Sequence, residues 1–215
     1  MHERLGHPSF AYLQRVYPKL CINLDNSKLK CEVCELEKHH QFPYPLSNNK
    51  RSEVSFSIIH TDVWGPSRVT CLSGARWFIS FIDDCSRTTW VYLLKRKSET
   101  INILQNFYKM IQTRFGVQVR VIKFDNRTEY FNESLTTFFS QNDNIHQFTC
   151  VGMAERKNRH LLEVARALVF ARNIPMTFWG DAILSTAYLI NHMPSKALDF
   201  KTPIETLKNY FSHIP

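Results

Sequence analysis

Three carboxylates stand where metal-dependent phosphoryl chemistry would need them. Asp62 closes the apolar run Ser-Ile-Ile-His-Thr-Asp (57–62), and Asp125 closes Val-Ile-Lys-Phe-Asp (121–125). Glu155 opens Ala-Glu-Arg-Lys-Asn-Arg-His-Leu-Leu-Glu (154–163), which reads as the start of a long helix. Two strand ends and a helix start can deliver oxygen ligands to divalent ions such as Mg²⁺ or Mn²⁺. Neighbouring carboxylates repel unless a cation joins them, and the ends of strands in open sheets are where such sites lie. Each acid also has a plain structural reading. The chain holds 19 Asp and Glu, most of them expected to be solvated. Glu155 in a first helical turn also suits the helix dipole without any metal.

A second constellation lies near the N-terminus. His2 and His7 are followed by the Cys31-x-x-Cys34 pair, a nitrogen and sulfur ligand set suited to tetrahedral Zn²⁺. A module of this size has little room for a core, so bound zinc would supply much of its folding energy. His39 and His40 are competing ligands, more readily read as solvated.

These groups need elements to hold them. Residues 1–41 are rich in Cys, His and charge, and 42–56 carry two prolines among polar residues and read as a linker. Strand-like runs follow at 57–63, 76–82 and 88–94, with Asp83-Asp84-Cys85-Ser86-Arg87 as a hairpin turn between the last two. A helix is predicted over 98–114 from Ile101, Leu104, Phe107, Tyr108 and Ile111, with Ser98 as its cap. Next come a strand at 117–124, a short helix at 132–141, a strand at 145–149, an amphipathic helix at 154–172 and an apolar helix at 175–192. This order describes a mixed-sheet α/β domain with helices on its faces.

Composition narrows the partners. Lys and Arg number 27, giving a net charge of +8 that favours a polyanion such as nucleic acid. No apolar stretch approaches the roughly 20 residues needed to span a bilayer, and the N-terminus lacks the apolar segment of a secretory signal. Six cysteines, four of them scattered, fit a reducing, intracellular compartment better than a disulfide framework.

At this point the motifs resemble a known family. His-Glu-Arg-Leu-Gly-His (2–7) with Cys-Glu-Val-Cys (31–34) resembles the zinc-binding pre-integrase segment of copia-class LTR retrotransposon polyproteins. His-Thr-Asp-Val-Trp-Gly-Pro (60–66), Phe-Ile-Asp-Asp-Cys-Ser-Arg-Thr-Thr-Trp-Val-Tyr-Leu (81–93) and Ala-Glu-Arg-Lys-Asn-Arg-His-Leu-Leu-Glu-Val-Ala-Arg (154–166) resemble the integrase core that follows it. The resemblance covers essentially the whole chain. It implies an RNase H-like mixed sheet over 57–215, preceded by a small zinc-binding module at 1–41. Asp62, Asp125 and Glu155 would then be catalytic ligands for magnesium in DNA 3′-end processing and strand transfer. His2, His7, Cys31 and Cys34 would hold zinc, and Lys157 and Arg159 would meet DNA phosphates. The solvated face of an amphipathic helix is the alternative for Lys157. A nuclear, DNA-bound homo-oligomer is the implied working form.

The copy also departs from the family. The step from Asp125 to Glu155 is several residues shorter than the family's, and a loss between Val151 and Gly152 accounts for it. Arg127 stands where the family carries Gly, and it is expected to pair with Asp62 or Asp125 and weaken Mg²⁺ binding. The chain also reads as a fragment of a decayed polyprotein. An impaired integrase is therefore expected, with a non-catalytic nucleic-acid-binding remnant as the alternative.

Overall fold

The computed structural model describes residues 51–124, the backbone of 145–148, residues 152–212, and Leu13, Gln14, Val16, Tyr17, Pro18 and Cys31. Strands β1 (Ile58–Trp64), β2 (Trp77–Asp83) and β3 (Thr89–Leu94) form an antiparallel meander. Helix α1 (Thr100–Phe115) then crosses over to β4 (Val121–Phe124), which runs parallel to β1. A further strand, β5 (Ile145–Phe148), lies parallel to β4, so the sheet order is β3-β2-β1-β4-β5. Helices α2 (Met153–Ala171), α3 (Trp179–His192) and α4 (Pro203–Tyr210) complete the described fold. The short helix expected at 132–141 lies outside the described residues.

Alternation along the strands divides the sheet into two faces. Ile59 and Val63 of β1, Ile79 and Phe81 of β2 and Phe124 of β4 join Leu104, Phe107, Tyr108 and Ile111 of α1 in one core. Phe81 and Phe107 stack there at 4.0 Å with rings 8° from parallel. On the opposite face Phe78 packs with Leu161 and Ala165 of α2 and with Trp179 and Ile183 of α3. Asp62 and its cross-strand partner Ser80 lie out of phase with the α1 core, so they face α2.

Several boundaries differ from expectation for physical reasons. Ser98 does not cap α1: the chain enters through a 3₁₀ turn at Lys97–Glu99, with Glu99 at the N-cap and no side-chain capping bond. The β4 ladder begins at Val121 rather than 117, because its pairing starts opposite Ile58, the first residue of β1. Helix α4 was not predicted. Its signal is nevertheless present in Thr202-Pro203-Ile204-Glu205, where Thr202 and Glu205 form a reciprocal capping box with Pro at the first turn. Phe56, in the stretch read as linker, is fully buried in the α1-side core beside Phe115 and Phe211.

Candidate active site

Asp62 is half-buried in β1, two residues before the strand ends. Its Oδ2 accepts a hydrogen bond from Asn158 Nδ2 of α2 across 3.0 Å. Asn158 is buried because α2 turns the face carrying Ala154, Asn158, Leu161 and Ala165 toward the sheet. Glu155 sits one turn before Asn158. Residues three apart on a helix have Cβ atoms about 5–6 Å from each other, so the Glu155 stem starts close to the residue that touches Asp62.

Glu155 itself is exposed, and its Oε1 accepts from Arg159 Nη2 at 3.2 Å on the same helix. Its Oε2 lies over Gly152, about where a Cβ at that position would be 3.5 Å away. Gly152 is the N-cap of α2 with φ of 56°, a conformation glycine takes without steric cost. Both Glu155 oxygens thus rest along their own helix start, a placement the helix dipole favours. Swinging the side chain toward Asp62 requires release from Arg159.

Lys157 is half-buried, and burial followed by the nearby Arg87 charge lowers its pKa to about 8. A lysine so placed is still mostly charged at neutral pH, and an approaching phosphate would favour the charged form further. Arg159 is more exposed and pairs with Glu155.

Asp125, Arg127, His2, His7, Cys34, His39 and His40 lie outside the described residues. Cys31 is described as half-buried and outside any disulfide. Among the described residues no three His, Cys, Asp or Glu side chains converge as a metal site. Asp62 and Glu155 are nonetheless oxygen donors of the hard type that Mg²⁺ takes, set on a strand and on the helix that packs against it. No helix among the described residues is long and apolar enough to cross a membrane.

Sequence reading missed a second polar group beside this one. His60 Nε2 and Arg87 Nη1 each lie 3.2 Å from Asp84 Oδ1, and Ser52 N–H donates to Asp84 Oδ2 at 2.7 Å. Burial alone would raise the Asp84 pKa. The His60 hydrogen bond, the Ser52 N–H and the Arg87 charge outweigh it and hold the carboxyl at about 2. Adjacent Asp83 is fully buried and accepts from Ser55 Oγ, Phe56 N–H and both the N–H and Oγ of Ser86. Two acids closing an apolar strand, with Arg three residues on, were the signal available in the sequence.

The mixed five-stranded sheet in the order β3-β2-β1-β4-β5, flanked by helices, is RNase H-like. Residues 54–154 match the family model for the integrase core domain, and residues 1–39 match that for the GAG-pre-integrase domain. The chain's relatives include Pol polyproteins of copia-type plant retrotransposons. It is similar to the Retrovirus-related Pol polyprotein from transposon TNT 1-94 of Nicotiana tabacum, with 30% identity over 99% of this chain and 17% of that protein. It is also similar to the Pol polyprotein from transposon RE2 of Arabidopsis thaliana, with 31% identity over 96% of this chain and 14% of that protein. The chain therefore spans about a sixth of the curated relatives it matches. The fold is shared with the simian T-cell lymphotropic virus intasome, solved with a PP2A regulatory subunit. There the TM-score is 0.58 at 18% identity, covering 99% of this chain and 73% of that one. It is shared too with the HTLV-2 integrase catalytic core domain in complex with magnesium, at TM-score 0.55 and 17% identity, covering 73% of this chain and 99% of that one.

Proposed function

We propose that this chain is a retrotransposon integrase of the metal-dependent polynucleotidyl transferase type, acting on DNA 3′ ends and on target DNA, with reduced activity in this copy. The observation that carries the reading is the Asn158–Asp62 hydrogen bond, which brings the first turns of α2, with Glu155, onto the strand bearing Asp62. The parallel register of β1 and β4 supports the third ligand. Its last pair among the described residues is Thr61 with Phe124, and Asp62 and Asp125 are the residues that follow these two in the sequence. The HTLV-2 relative in complex with magnesium adds an analogy for the cofactor.

In this reading Asp62, Asp125 and Glu155 hold Mg²⁺ or Mn²⁺. When bound, such ions supply Lewis-acid stabilisation of charge on a phosphoryl oxygen and help activate water or a 3′ hydroxyl for in-line attack. Asn158 orients the Asp62 carboxylate. Lys157 and Arg159 meet DNA phosphates, and Arg159 gives up its contact with Glu155 as the acid turns inward. His2, His7, Cys31 and Cys34 hold one Zn²⁺ in a module over 1–41, joined through 42–56 to the core at 57–215. The working form is a homo-oligomer on two DNA ends in the nucleus.

A strand-transfer assay with short duplex ends and Mg²⁺ tests this. Product that disappears in Asp62→Asn supports the enzyme. DNA binding without product from the unaltered chain supports instead a nucleic-acid-binding remnant, the reading that the shortened step from Asp125 to Glu155 favours.

A further inference from the structure

The turn after β2 reaches the start of α2. Arg87 has a left-handed backbone, with φ of 61°, and its side chain is 21% exposed. Its Nη1 lies 3.2 Å from Asp84 Oδ1 and 2.6 Å from the Sδ of Met153, the first residue of α2. Met153 is two positions before Glu155.

This is a poor place for a cation on stability grounds alone. Helix N-termini repel positive charge, Lys157 on the same helix adds a second cation near Arg87, and the Arg87 Nε is buried with no hydrogen-bond partner among the described residues. Asp84 offsets part of that cost, and it is itself fixed from two other directions, by Ser52 and His60. Meanwhile the helix N-cap, Gly152, makes no side-chain capping bond. The orphan N–H groups of the first turn thus have no side-chain cap at that position, and a contact from elsewhere adds to the hold on it.

We propose that the Asp84–Arg87 pair is a positioning device for Glu155. The pair is anchored in the β2–β3 turn. Through Met153 it holds the first turn of α2 against the sheet, so that Glu155 leaves the helix at a fixed height above Asp62. Arg87 is a positioning residue and touches neither metal nor DNA in this role. The inference rests on the reading of Glu155 as a metal ligand, and it explains how a helix entered by a shortened loop keeps its first turn in register.

The test measures Mn²⁺ affinity of the full chain from the electron paramagnetic resonance signal of free Mn²⁺, with metal-free melting temperatures alongside. Arg87→Ala is expected to weaken Mn²⁺ binding about tenfold or more, in the range that residues supporting metal ligands show. Arg87→Lys should recover part of the loss, because its ammonium can still pair with Asp84. Met153→Ala cuts the contact from the helix side, leaves the Asp84 pair intact, and should weaken binding likewise, even if Arg87→Ala fails to fold. The double variant Arg87→Ala with Glu155→Gln should bind no more weakly than Glu155→Gln alone. Losses that multiply in the double variant would overturn the proposal, since Arg87 would then act independently of Glu155. So would wild-type affinity in both Arg87→Ala and Met153→Ala while Glu155→Gln binds weakly. Wild-type affinity in Glu155→Gln would instead sink the reading of Glu155 as ligand, and the proposal with it.

Discussion

Asn158 Nδ2 donates to Asp62 Oδ2 across 3.0 Å, and this bond joins α2 to β1 at the carboxylate proposed as a metal ligand. Asn158 is 2% exposed, and its Oδ1 is buried with no partner among the described residues, so the bond to Asp62 comes from the donor end of the amide. Asn158→Ala should cost about 1–3 kcal/mol of stability, the usual range for a hydrogen bond to a charged group. It should also weaken Mn²⁺ binding roughly tenfold by freeing the Asp62 carboxylate to rotate. Asn158→Asp sets a second carboxylate against Asp62 and should lower the metal-free melting temperature below that of Asn158→Ala. Adding Mn²⁺ should then recover more stability in the Asp variant than in the Ala variant. Thermal melts with and without metal decide it.

Asp84 predicts an acid limit on the fold. Its folded pKa of about 2 lies below the ordinary value of 3.8, so the folded state binds the proton less tightly than the unfolded chain. The stabilisation is present above pH ~4 and is lost as pH falls through ~2, on the order of 2 kcal/mol for this group. Stability followed by urea titration should decline over that window. In Asp84→Asn the decline should be shallower, from a starting stability lower by about 3 kcal/mol, since His60 and Arg87 lose their shared anion. An unchanged acid limb in Asp84→Asn would assign the decline to other carboxylates.

The ease of reading varied along the chain. Strands β1 to β3 fall within one residue of expectation because their apolar runs are bounded by turn residues such as Gly65, Pro66 and the Asp83–Arg87 stretch. Helix α1 buries Leu104, Phe107, Tyr108 and Ile111 as its periodicity requires. The start of β4 misled, since Val117 and Val119 are apolar and packed yet have no strand opposite them. Asn158 carries no local signal. An asparagine in a helix reads as solvated, and only the angle at which α2 crosses the sheet sets it against Asp62. Asp84 and His60 stand 24 residues apart, and the pairing of β1 with β2 brings them together.

Phe56 ties the stretch before β1 to the core. It is fully buried among Trp90, Phe115 and Phe211, and its N–H donates to Asp83 Oδ1 at 2.8 Å. Truncating a buried aromatic typically costs about 3–5 kcal/mol, so Phe56→Ala should lower the unfolding free energy of the core, read by chemical denaturation, by about that amount. Val54→Ala, at a position 56% exposed, should stay within about 0.5 kcal/mol of wild type. Equal effects from the two substitutions would mean that residues 51–56 behave as linker in solution.

Zinc should behave as a folding ligand for residues 1–41 and leave the core alone. The chain is expected to carry one zinc, with affinity rising with pH as the cysteines lose their protons. Cys34→Ser should abolish that zinc, measured by elemental analysis, and should open the module to proteolysis. The melting transition of the core should stay in place, because among the described residues its two clusters are built from residues 56 onward. A core transition that drops together with the zinc would mean that the module and the core fold as one unit.

Arg127 supplies the last test, because it separates a weak metal site from a lost one. A cation about 10 Å from a bound Mg²⁺ opposes its binding by roughly 1–3 kcal/mol, for effective permittivities between about 80 and 20. Arg127→Gly should therefore tighten Mg²⁺ binding between about fivefold and a hundredfold, read by isothermal titration. Arg127→Lys keeps the charge and should bind like the unaltered chain, whereas a gain in both variants would point to backbone strain or bulk at that position. Tighter binding in Arg127→Gly without strand transfer would place the defect in the shortened segment between Asp125 and Glu155. Recovered strand transfer would place it in the guanidinium.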